Sequence, residues 1–123
     1  MMPAQQKIGI IDVYYQLVDS EQWIELCELF SDDTVYERDG TGAIVGKAAL
    51  LQFYTVERVI ARGQHVHLIN AVTPEGVRST GCFVGELKSG QAVKSNFIDH
   101  FYINDAGLIY KRVTEFPTGE QKI

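Results

Sequence analysis

The chain has 123 residues, 46% of them apolar and 22% charged, which is enough for one domain with its own core. Its formal charge of −5 and its eleven scattered Lys and Arg residues exclude a nucleic-acid partner, because phosphate binding needs a concentrated basic face. No stretch approaches the roughly 20 apolar residues of a membrane span, and Met1 to Lys7 carries no apolar signal core. The two cysteines, Cys27 and Cys82, sit in apolar surroundings without metal spacing, so both read as buried thiols of a reduced, cytoplasmic protein.

Two helical patterns open the chain. Ile8, Ile11, Tyr15 and Val18 recur on one stripe at helical spacing, with Tyr14 beside them. Asp19 and Ser20 interrupt the pattern, and either residue type caps a helix well. The second helix carries Trp23, Leu26, Cys27 and Phe30, and Ser31-Asp32-Asp33 ends it. A short strand, Thr34 to Arg38, meets the turn Asp39-Gly40-Thr41-Gly42, and Ala43 to Val45 returns. Gly46 opens a third helix with Leu50, Leu51, Tyr54, Val59 and Ile60 on its apolar face, and Gly63 closes it.

The second half is a series of strands. His65 to Thr73, Val77 to Leu87, Ala92 to Asn104 and Leu108 to Phe116 are separated by short turn-forming spacers, the pattern of consecutive antiparallel hairpins. Helices first and strands later predicts an α+β fold. In the third of these strands, alternation places Phe97, Asp99, Phe101 and Ile103 on one face, and Ile98, His100 and Tyr102 on the other. Both faces are largely apolar, so both should be covered. Helices cover one; a second copy of the chain is expected on the other, giving a homodimer through the sheet.

Several local motifs carry a family likeness. Tyr14 to Asp19 followed by Trp23 and Leu29-Phe30-Ser31-Asp32-Asp33, Gly46-Lys47-Ala48-Ala49-Leu50, His65-Val66-His67-Leu68-Ile69-Asn70 and Asp105-Ala106-Gly107-Leu108-Ile109 stand in one order over nearly the whole chain. Together they resemble the SnoaL-like members of the NTF2/ketosteroid-isomerase superfamily. The resemblance implies a single domain over residues 1–123. It implies a cone-shaped α+β barrel, with three N-terminal helices on a curved, mostly antiparallel sheet around an internal pocket. It also implies chemistry without cofactor or metal on a small, largely apolar ligand. The superfamily holds enzymes and noncatalytic binding or assembly domains alike, so the fold leaves both open.

Two candidate constellations follow from that resemblance. Tyr14, Asp19 and His67 are similar to the Tyr/Asp/His set of the dehydratase branch. There His67 would move protons, Asp19 would orient it and Tyr14 would polarise a carbonyl. Tyr14, Glu37 and Asp99 resemble the ketosteroid-isomerase set. There Glu37 would be the base, and Asp99, its pKa raised by apolar neighbours, would donate a hydrogen bond as an uncharged acid. Arg38 is available to pair with Glu37. Tyr54, Phe97, Phe101, His65 and Trp23 are candidate pocket walls. His65 and His67 share a strand face by alternation, and with Asp99 they form a weaker metal-site reading. Each residue also has a plain role: Asp19 as a cap, Tyr14 in the core, His67 in the sheet, His100 on the surface. The function expected is acid–base dehydration or isomerisation of a carbonyl compound, against noncatalytic binding.

Overall fold

Apolar side chains at helical spacing bury one stripe of a 16-residue helix, α1 (Ala4–Asp19), against the concave face of a sheet, with Ile11, Tyr14, Tyr15 and Val18 turned inward. The structure, a computed structural model, describes residues 2–40 and 42–123; Thr41, in the expected turn, lies outside them. A short helix, α2 (Trp23–Cys27), follows, and the first strand, β1 (Phe30–Arg38), begins almost at once. Ser31-Asp32-Asp33 therefore belongs to a strand rather than to a helix end. Strand β2 (Gly42–Val45) pairs back on β1, and α3 (Lys47–Gln52) widens into a π-helical turn at Phe53–Glu57.

The third helix is thus shorter than its apolar pattern suggests, and Gly63 does not cap it. Gly63 lies inside β3 (Ile60–Val72), opposite Gly85 of β4 (Gly76–Leu87). A Cβ on Gly63 would stand 2.2 Å from the Phe83 ring, so the glycine is what lets that ring lie across the strand pair. Strands β5 (Ala92–Ile103) and β6 (Ile109–Glu115) complete a six-stranded sheet in the order β2-β1-β6-β5-β4-β3. All pairings are antiparallel except β1 with β6. The sheet curls around the helices without closing, the α+β cone expected from the sequence.

Alternation along β5 holds as read. Val93, Ser95, Phe97, Asp99 and Phe101 are buried on the concave face, while His100 lies outside, 3.3 Å from Glu115. Alternation along β3 fails. The register steps from Val66 opposite Cys82 to Ile69 opposite Thr80, one residue more on β3 than on β4. That bulge sits at His67, whose φ of 55° is left-handed. It reverses the side-chain parity: His65 faces in before it, and Leu68 packs on the core after it.

Candidate functional site

The concave face holds a buried ionic centre. Asp99 on β5 and Arg112 on β6 lie diagonally across the register, in which Asp99 faces Thr114 and Phe101 faces Arg112. Arg112 grips the carboxylate with one two-pronged fork: Nε donates to Oδ1 at 3.1 Å and Nη2 to Oδ2 at 3.0 Å. The Tyr15 hydroxyl donates to Oδ2 at 2.6 Å, and the Thr114 hydroxyl donates to Oδ1. Burial alone would push the Asp99 pKa up; the Arg112 charge and these hydrogen bonds overcome it and hold the carboxyl below its ordinary value. Asp99 is therefore an ionised anchor. The expected uncharged donor is corrected, because the sequence pattern showed apolar neighbours on its own strand and not the arginine arriving from the next one.

Arg112 also carries the centre toward α1 and α3. Its Nη1 donates to the Tyr54 hydroxyl at 2.8 Å and to the Tyr14 hydroxyl, and the two hydroxyls bond each other at 2.6 Å. Burial raises the pKa of both tyrosines, against the lowering pull of Arg112, so both keep their protons. One of the two protons is used in their mutual bond. The other is free to point at an oxygen in the cavity, from a hydroxyl polarised by a guanidinium. Tyr14, the expected electrophile, thus shares its position with Tyr54, and the pair can present one polarised O–H to the cavity.

The second cluster is a histidine–aspartate pair. Asp19, the last residue of α1, accepts from the His65 backbone N–H at 3.0 Å through Oδ2 and meets the His65 ring Nδ1 at 2.6 Å through Oδ1. Asp19 thus clamps His65 and does not cap α2, whose N-cap is Gln22. An acceptor at Nδ1 selects the Nδ1–H tautomer of a neutral ring and leaves Nε2 open. His65 stands among Tyr15, Phe83 and Phe97, with ring centroids 5.0 to 5.3 Å away. His67 is exposed and meets none of these groups, because the bulge turns it out. The expected partner of Asp19 is replaced by the histidine two residues earlier.

Between the two clusters lies a narrow cavity of about 40 Å³. Tyr14, Tyr54, His65, Phe97 and Arg112 face it, together with Arg38 and Arg58. Trp23 stands behind, stacked on Tyr54 at 5.2 Å, and Phe101 backs Tyr14 at 5.2 Å. Phe116 and Ile123 wall the same space, so the chain beyond β6 folds back over the sheet. Glu37 is turned away: it is exposed on the convex face, 3.8 Å from Lys111. Period-two alternation of β1 sends its neighbours Tyr36 and Arg38 inward instead, so the Glu37–Arg38 pair does not form. The isomerase-like base is absent from the cavity. Among the described residues no three His, Cys, Asp or Glu side chains gather into a metal site, and His65 and His67 do not share a face.

Several residues that build this site carry only weak signals in the sequence. Arg112 was signalled only indirectly, by the need of a buried Asp99 for a countercharge. Tyr15 reads as part of the apolar stripe of the first helix, while Tyr36 and Arg58, the latter in the loop between the π-helical turn and β3, carry no signal of their own.

No protein-family model and no curated protein sequence matches the chain. Solved structures do. SalBIII, an epoxide hydrolase/cyclase-like enzyme with a role in pyran ring formation in the polyether salinomycin, is 17% identical. It superposes with a TM-score of 0.82 over 100% of this chain and 99% of its own. An NTF2-like protein from Burkholderia xenovorans is 14% identical, with a TM-score of 0.81 over 96% and 94% of the two chains. A Mycobacterium tuberculosis protein solved in complex with estradiol-17β-hemisuccinate is 18% identical, with a TM-score of 0.74 over 94% and 96%. The chain has the SnoaL-like, NTF2-like fold.

Proposed function

We propose that the protein is an acid–base enzyme, needing no cofactor, that moves a proton beside a carbonyl of a small, mostly apolar molecule in dehydration or isomerisation. One observation carries this reading: His65, clamped by Asp19, and the Arg112-polarised Tyr14–Tyr54 pair line one cavity. His65 Nε2 takes the proton next to the carbonyl, and Asp19 stabilises the imidazolium that forms. The free tyrosine proton donates to the carbonyl oxygen as it gains negative charge, in a site where burial strengthens the bond. His65 then returns the proton to a carbon or to a leaving hydroxyl. Asp99 touches none of the reacting atoms; it positions Arg112.

The complex of the Mycobacterium protein with a steroid ester supports small-molecule binding on this fold. Partly exposed Ile98, Tyr102 and Val113 on the convex face support a homodimer through the sheet. Among the described residues no helix is long and apolar enough to cross a membrane; the acidic charge supports a protein without nucleic-acid partners.

The test is α-proton exchange. Small cyclic ketones and β-hydroxy ketones are incubated with the protein in deuterium oxide and followed by NMR. Exchange or loss of water should be faster than with the His65→Gln protein. Equal rates for the two proteins across the panel would sink the acid–base reading and leave the noncatalytic alternative.

A further inference from the structure

Three arginines face the cavity, and among the described residues only Arg112 has a carboxylate partner. Arg112 is neutralised by Asp99. Arg38 donates from Nε to the Tyr36 hydroxyl at 2.9 Å, and among the described residues its two Nη groups have no protein acceptor. Arg58 makes no side-chain hydrogen bond and no ion pair among the described residues, although it is half-buried. Asp39, beside Arg38 in sequence, uses an oxygen on the Phe116 N–H at 2.8 Å.

Both free guanidinium groups are held by aromatic rings. Arg38 lies 5.0 Å from the centre of the Phe53 ring and 5.6 Å from that of Tyr36. Arg58 lies 5.3 Å from Trp23 and 6.0 Å from Tyr54. Stacking of this kind fixes the plane of a guanidinium and leaves its N–H edge open. Each arginine is also one side chain away from the ionic centre, Arg38 through Tyr36 and Arg58 through Tyr54. A chain of net charge −5 has thus concentrated uncompensated positive charge at its cavity.

We infer that the cavity takes a molecule bearing a carboxylate, held by Arg38 and Arg58 while the rest of it reaches toward Tyr14, Tyr54 and His65. A planar two-oxygen anion matches the open N–H edge of a guanidinium. A phosphate carries more oxygens and more charge and is bulkier, and the cavity is narrow, so the carboxylate is the better fit. This deepens the assignment of the cavity as a ligand site and does not depend on the acid–base step. Burial holds the Arg58 pKa below its ordinary value, which is the electrostatic cost an incoming anion relieves.

The test compares three probes by isothermal titration calorimetry: 3-phenylpropanoate, its neutral amide 3-phenylpropanamide, and 2-phenylethyl phosphate. The carboxylate should bind at least about tenfold more tightly than the amide, the scale of one hydrogen bond to a charged group. Arg58→Gln and Arg38→Gln should each remove most of that preference, weakening the carboxylate far more than the amide. Arg58→Lys, which keeps the charge and loses the fork, should retain part of it, and it decides the matter if Arg58→Gln binds neither probe. The inference is overturned if the carboxylate does not bind, if the amide binds as tightly, or if the preference survives both glutamine variants. Tighter binding of the phosphate would overturn the choice of carboxylate. The same titrations on His65→Gln separate the two proposals. A charge preference kept there without proton exchange in the native protein leaves the anion site standing and the acid–base step wrong.

Discussion

The arginines on the cavity wall are held in two opposite ways. In the buried centre Arg112, Asp99, Tyr15 and Thr114 bond to one another, with Arg112 also bonded to Tyr14 and Tyr54, and none of them is exposed. Outside it, Arg38 and Arg58 stack on rings and leave donors open. A saturated network cannot offer much to a ligand, so its role is to hold geometry; an unsaturated pair of cations is stable only because water or a ligand can reach it. Tyr14 and Tyr54 belong to both regimes, anchored by Arg112 and with one proton to give.

The contrast is broken most forcefully at Asp99. Asp99→Ala leaves Arg112 buried without its partner and should cost about 3–5 kcal/mol, read from urea unfolding. Replacing both members with apolar residues of similar volume, as in Asp99→Leu with Arg112→Met, should recover most of that loss. If the single variant is as stable as the native protein, the buried centre is not a structural anchor.

His65→Gln should affect rate and not stability. On a substrate found by the exchange test, turnover should fall by about 10²–10⁴, with the urea midpoint nearly unchanged. A variant that unfolds early but retains full turnover would exchange the roles assigned to His65 and Asp99.

Acid sharpens the comparison further. The Asp99 carboxyl is held below its ordinary value of 3.8, so the native state binds fewer protons there than the unfolded chain. Its contribution is present above that ordinary value and is lost as pH falls through the lower native one. Stability followed from neutral pH into acid should therefore drop more steeply for the native protein than for Asp99→Asn. Superimposable slopes would show that the pair contributes nothing to acid sensitivity.

Glu37 marks the small end of the scale. Its contact with Lys111 is long and solvent-exposed, so Glu37→Gln should change stability by less than about 0.5 kcal/mol and leave turnover unaltered. A large loss of turnover would return Glu37 to the catalytic set.

The inward residues of α1 and β5 were legible because helical spacing and strict alternation need no knowledge of neighbours. Tyr14, Phe97, Asp99 and Phe101 lie on the faces their spacing predicts. The histidine was misplaced because a bulge is invisible to alternation: His65 and His67 are equivalent in the pattern, and one extra residue in β3 separates them. Alternation cannot give the state of Asp99, because its controlling neighbour lies 13 residues away on another strand. The end of α3 was overextended because Val59 and Ile60 continue its apolar spacing, while the backbone leaves the helical region at Arg58, with ψ at 131°.

By itself, the sequence determined the fold class, the order of helices and hairpins, and the concave face of β5. These depend on periodicity and turn chemistry, which act over a few residues. The tertiary structure decided which histidine meets Asp19, that Asp99 is ionised, and that three arginines converge on one cavity. Register shifts and diagonal contacts between strands set those outcomes, and they bring together charges that are far apart in the chain.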